Sequence, residues 1–170
     1  VSLGAFEAIQ SRNPNVTAWT NDLPFAWPDP CARQLEFNTT VAPWGDKNMR
    51  EAVNLILDRQ QVVNVAYEGI TVPSRSLFVQ YGGMEKYISA IEAAGAGFSA
   101  SPDVAAGQAL IEAAGWAKGS DGIYAKDGEK LSVGITHKIA TEMDGAVAVI
   151  AEQLRRAGID AKPVPVENSV

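Results

Sequence analysis

The sequence predicts an α/β fold in one domain, and three observations lead there. The last third reads strand, helix, strand: an alternating run with Leu131, Val133 and Ile135 on one face, an amphipathic helix opening near Thr141, and a strand-like run from Ile159 to Val166. Two strands joined through a helix form a β-α-β unit, with parallel strands and a right-handed crossover. Upstream, helical stripes alternate with short extended pieces, which gives a mixed sheet flanked by helices. At 170 residues the chain can bury a real core, and its length favours one unit over two.

Each element has its own signal. Leu3, Ala5, Phe6 and Ile9 mark a helix over 2–11, closed by the turn Asn13-Pro14-Asn15 before an extended run, Val16 to Trp19. Three prolines between Asn21 and Pro30 rule out either periodicity and predict an irregular connection. A strand follows over 34–38, with Leu35 and Phe37 on one face. Met49, Ala52, Val53, Ile56 and Leu57 form the inner stripe of a helix that Asp46 is placed to cap. Val62, Val63, Ala66 and Tyr67 are the inner side of a second helix ending at Gly69, and Met84, Tyr87, Ile88 and Ile91 that of a third, broken at Gly95. Ser101 is expected to cap a helix with Pro102 at its first position, Leu110, Ile111 and Ala114 inward, and Gly115 at its end beside Trp116. Asp127-Gly128 between two alternating runs is a two-residue hairpin signal. Thr141 and Asp144 have the spacing of a capping box, Met143, Val147, Ile150, Ala151 and Leu154 face inward, and Arg155 and Arg156 precede the stop at Gly158.

Charge and composition exclude some partners. A net charge of −6 disfavours a surface for nucleic acid or anionic lipid, and the single cysteine, Cys31, forms no internal disulfide. The N-terminus has no secretory-signal pattern, and no apolar run approaches the roughly 18 residues of a membrane span. A cytoplasmic protein, a mature exported one and a piece of something larger are all compatible with that.

Catalytic patterns are missing. His137 is the only histidine, and the stretch "GFSAS" at 97–101 lacks the second glycine of a nucleophile elbow. One histidine and one cysteine cannot build a zinc site of the usual kind, and no Walker or dinucleotide glycine pattern occurs. The expectation is therefore no enzyme, no metal and no cofactor. In open α/β sheets, ligands meet the chain beyond the carboxyl ends of strands. That rule selects Thr136, His137, Lys138 and Thr141: the histidine for a carboxylate or carbonyl, the lysine for an anion. Trp27, in the proline-rich connection, offers a stacking face, whereas Trp44 and Trp116 read as packing residues beside helix ends.

Three stretches in order, "LEFNTTVAPWGDKNMREAVNLILDRQQVVNVAYEG" (35–69), "SPDVAAGQALIEAAGW" (101–116) and "AVAVIAEQLRRAGIDAKPVPVE" (146–167), make the chain resemble the second lobe of bacterial ABC-transporter solute-binding proteins of the peptide/nickel-binding family. Asn48-Met49 stands where that family often has Arg-Val, and Trp44 where Phe is common. The resemblance implies one lobe, 1–170, of a two-lobed, periplasmic-binding-protein-like receptor that closes on a peptide, sugar or other organic solute and hands it to an ABC permease. It also implies a periplasmic or extracytoplasmic location, membrane-associated only through the permease or a lipid anchor outside this chain. It places the loop after "LSVGIT", with His137 and Lys138, where several relatives meet the charged end of the ligand. A stand-alone α/β interaction domain without a small-molecule ligand is the alternative from another class.

Overall fold

The computed structural model describes residues 3–20, 24–25, 29, 32–99 and 101–167. Trp27, Cys31 and most of the proline-rich connection lie outside the described residues. In chain order come α1 (Leu3–Arg12), α2 (Lys47–Ile56), α3 (Arg59–Ala66), a 3₁₀ turn (Gly82–Met84), α4 (Glu85–Ala93), α5 (Val104–Ala113), β1 (Ala117–Lys118), β2 (Tyr124–Lys126), β3 (Glu129–Lys130), β4 (Ser132–Lys138), α6 (Thr141–Ala157) and β5 (Asp160–Val166). Helices flank two small sheets, so the α/β architecture holds, with its antiparallel and parallel pairings in separate sheets: β1-β2-β3 and β4-β5.

The core forms where helical stripes meet the inner face of β4. The Asp46 carboxylate accepts from the Asn48 N–H at 2.8 Å and opens α2, whose Met49, Ala52, Val53 and Ile56 are buried. Helix α5 packs against that stripe through Gly107, where a Cβ would stand 2.8 Å from both the Ala52 carbonyl oxygen and Ile56 Cγ1. Only the smallest residue allows this approach of two backbones. Ile111 from α5, Leu131 and Ile135 from the β4 side, and Val147, Ala151 and Leu154 from α6 complete the cluster.

Several terminators are as expected. Gly115, at φ +87°, closes α5 in a Schellman arrangement, with Trp116 N–H donating to the Ile111 carbonyl and Gly115 N–H to that of Glu112. Asp127 and Gly128, at φ +52° and +84°, make the tight hairpin between β2 and β3. Gly158 ends α6 at φ +108°, and β5 then runs parallel to β4 from Ser132 opposite Asp160 to Lys138 opposite Val166.

Other expectations are corrected. Residues 16–19 form no strand, being too few to hold extended without a partner. Residues 34–38 belong to neither sheet; Leu35 and Phe37 lean on the core, and the Phe37 ring sits 5.1 Å from that of Trp44. Helix α1 buries no residue, and Ile9 is exposed. On α4 only Ile88 is buried, while Tyr87 faces outward. The cap of α5 is Asp103, not Ser101: its carboxylate accepts from the Ala106 N–H at 2.9 Å, while its own N–H donates to the Leu55 carbonyl at 2.7 Å. That second bond ties residue 103 to the end of α2 and starts the helix two residues later than the serine would. Asp103→Ala is expected to lower stability by about 1 kcal/mol, and Ser101→Ala by less than about 0.5 kcal/mol. Urea unfolding of both variants checks this, and equal losses would reject the assignment.

Candidate functional site

The crossover from β4 to α6 is set by strand parity. Leu131 just before β4 and Ile135 and His137 within it are buried, and Thr136 and Lys138 are exposed. The ladder holds to the end of the strand, where Ile139 N–H donates to the Val166 carbonyl at 3.1 Å. Residues 138–140 then turn from sheet to helix.

His137 is turned into the protein. It is 8% exposed, with ring Nδ1 3.2 Å from the Ile135 carbonyl oxygen and Nε2 3.0 Å from Asp144 Oδ1. Both partners are acceptors; which of the two ring nitrogens donates is set by the tautomer, and both nitrogens are engaged inside the protein. Of the residues expected here, the outward-facing set is therefore Thr136, Lys138 and Thr141, and His137 stands behind them. The signal for this was in the sequence: His137 shares the period-2 face of Leu131, Val133 and Ile135.

The expected capping box is also corrected. Ala140 occupies the cap position of α6 in extended conformation and makes no side-chain cap bond, so Thr141 is already helical. Asp144, placed by the sequence to close that box, bonds His137 instead. Glu142 and Asp144 still put negative charge in the first turn, where the helix dipole favours it.

Two neighbours of the crossover had no distinguishing sequence signal. Helix α3 packs against α6, with Ala66 close enough to Gly145 that a Cβ there would lie 3.5 Å from it. At the end of α3, the Tyr67 hydroxyl is buried, with the Arg33 guanidinium as its main polar influence. Burial pushes its phenol above the ordinary range; the Arg33 guanidinium opposes that shift and Glu142 adds to it. Arg33 and Glu142 thus act electrostatically on a buried hydroxyl beside the first turn of α6. Lys138 has no ion-pair partner among the described residues.

At the crossover, Thr136, Lys138, Ile139 and Thr141 are exposed. Two grooves lie elsewhere: one of about 250 Å³ beside Asn54 and Phe98, the other of about 570 Å³ between the start of α2, the end of α5 and the β2–β3 hairpin, among Val41, Pro43, Met49 and Trp116. Among the described residues there is no cluster of three metal-binding side chains, and no helix is long and apolar enough to cross a membrane.

The family model for "Bacterial extracellular solute-binding proteins, family 5 Middle" matches residues 6–170. The chain belongs to this family. Protein XP55 of Streptomyces lividans is 29% identical over 138 residues, covering 77% of this chain and 24% of that protein. Among solved structures, an ABC transporter substrate-binding protein from Sinorhizobium meliloti is 28% identical with a TM-score of 0.62, over 78% of this chain and 26% of that one. The mannohexaose-bound periplasmic oligopeptide-binding protein of Thermotoga maritima shares the fold, with a TM-score of 0.79 at 19% identity, over 95% of this chain and 30% of that one. The chain thus spans about a quarter of the length of the relatives it matches. Family 5 consists of extracellular solute-binding proteins of ABC importers, which are not enzymes.

Proposed function

We propose that this chain acts as one lobe of a two-lobed receptor that captures a small solute for an ABC importer, with the β4–α6 crossover on its solute face. The observation that carries this reading is that Thr136 and Lys138, in the last rungs of a parallel strand's ladder, and Thr141, which follows at the start of α6, are all exposed at the strand's carboxyl end, with the Lys138 ammonium unpaired among the described residues. An ammonium and two hydroxyls suit a solute that presents a carboxylate or several oxygen acceptors, such as a peptide end or a sugar. Family membership leaves that choice open, because a Thermotoga maritima protein named for oligopeptides holds mannohexaose. Trp27 is proposed as a stacking residue on sequence grounds alone. Delivery to a permease and an extracytoplasmic, membrane-associated location belong to the same proposal.

An exposed crossover covers only one side of a solute, whereas small-molecule sites commonly bury some 70–90% of their ligand. Weak binding by this chain alone follows, with the remaining contact supplied by a second lobe. The test is an amide-resolved NMR titration with a pool of short peptides and with mannohexaose. Shifts are expected at Thr136–Thr141, and Lys138→Ala is expected to weaken the binding roughly fivefold, about 1 kcal/mol, with folding stability changed by less than about 0.5 kcal/mol. Shifts confined to the groove around Met49 and Trp116 would place the site between α2, α5 and the β2–β3 hairpin and reject the crossover.

A further inference from the structure

We propose that His137 is a positioning residue that fixes the crossover between β4 and α6, so that Lys138 and Thr141 are held at a set separation without the histidine itself touching solute. The first part concerns the fold alone, and the second rests on the solute-site reading above.

The argument begins with what holds each end of residues 138–140. On the strand side the ladder is complete: Lys138 lies opposite Val166, and Ile139 N–H bonds the Val166 carbonyl. On the helix side the usual device is absent, because Ala140 at the cap position has no side chain that can accept from the first-turn amides. The helix start is held by backbone alone, with Met143 and Asp144 N–H donating to the Ala140 carbonyl at 2.9 and 2.8 Å. His137 supplies a link between the two sides. Its ring is anchored to its own strand through the Ile135 carbonyl and reaches across to Asp144 in the first turn of α6.

Burial gives that link its strength. The His137 side chain is only 5% exposed, so its bond to a carboxylate is shielded from water at one end, while Asp144 at 49% remains solvated and is not itself a core residue. A charge-assisted bond of this kind outweighs an ordinary surface contact. Breaking it from the Asp144 side removes the tie without opening a cavity, which lets positioning be separated from packing.

The test uses amide hydrogen exchange across the whole chain in Asp144→Ala, His137→Asn and His137→Gln. A glutamine amide nitrogen reaches about as far as ring Nε2 and keeps a donor toward Asp144, whereas asparagine reaches only as far as Nδ1. Exchange at Ile139–Met143 is expected to rise roughly tenfold in Asp144→Ala and His137→Asn, to stay near wild type in His137→Gln, and to be unchanged at α2 in all three. Unchanged exchange at the crossover in Asp144→Ala would overturn the proposal. So would an equal rise at α2, which would make the pair a contributor to global stability, or a glutamine variant as loose as the asparagine one. Titration of the same variants with the short-peptide pool and mannohexaose tests the second part. If the wild-type chain binds, Asp144→Ala is expected to weaken binding about as much as it loosens the crossover, and unchanged affinity would overturn the positioning of solute groups. A wild-type chain that binds neither probe would count against the solute-site reading, while the exchange result would still decide the crossover link.

Discussion

Gly158→Ala is expected to destabilise the fold by roughly 2–5 kcal/mol, enough to remove a large part of the stability of an ordinary domain. Two costs add. The backbone at Gly158 has φ +108° and ψ 18°, a conformation that costs an L-residue about 1–2 kcal/mol. The added Cβ would also stand 2.8 and 2.9 Å from Cδ2 and Cε2 of Tyr124 and 3.0 Å from the Gly122 carbonyl oxygen. Tyr124 cannot easily yield. Its ring is 1% exposed, its hydroxyl donates to Glu112 at 2.9 Å, and its N–H donates to the Gly158 carbonyl at 2.8 Å. Burial, helped by Glu112, pushes its phenol up to about 12. Overpacking such a contact typically costs a further 1–3 kcal/mol or so. Gly128→Ala separates the two costs, since Gly128 has φ +84° but nothing within 4 Å of a built Cβ. Urea denaturation with an unchanged m-value should show Gly158→Ala losing at least twice what Gly128→Ala loses. Equal losses would mean that backbone conformation alone explains glycine at 158.

How much of this was legible in advance depends on the range over which each signal acts. Asp46, Gly115, Asp127-Gly128 and Gly158 were readable because a cap or a tight turn is decided by a few neighbouring residues. The inner stripe of α2 was readable for the same reason, since helical periodicity needs no distant partner. Local sequence favours Ser101 as the cap of α5, and the bond that makes it Asp103 instead comes from Leu55, 48 positions earlier. Residues 34–38 have the alternation of a strand, but sheet membership depends on a partner that local sequence does not name.

The crossover shows the same division. Strand-end position drew attention to residues 136–141, and parity along β4 divides them into outward Thr136 and Lys138 and inward His137. Applied consistently, the alternation that places Leu131 and Ile135 in the core also places the histidine there. The Asp144 contact and the buried Tyr67 hydroxyl needed tertiary structure, because each depends on where α6 lies relative to β4 or α3.

Leu131→Ala is expected to cost about 2–5 kcal/mol in stability and leave the crossover intact in the molecules that remain folded. Leu131 is fully buried at the joint between the two sheets: its N–H donates to the Tyr124 carbonyl at 2.7 Å, and its carbonyl accepts from Asp160 N–H at 2.9 Å. Those bonds are backbone bonds and survive the substitution, so the loss comes from the side chain alone, as lost apolar burial and a residual cavity among its core neighbours. Leu131 stands seven residues before Lys138, which at strand spacing is more than 20 Å or so along β4. The ladder between them runs unbroken. At that distance the cavity left by the leucine is expected to leave the backbone of residues 136–141 in place. The measurement is a pair: the urea midpoint, which should fall sharply in Leu131→Ala and barely move in Lys138→Ala, and amide exchange and solute titration at residues 136–141 under native conditions. Crossover amides that exchange faster in Leu131→Ala than the drop in global stability requires would show that core and crossover are mechanically coupled. Preserved crossover behaviour would mean that the core of this lobe sets how long it stays folded, and the polar end of β4 sets what it can hold.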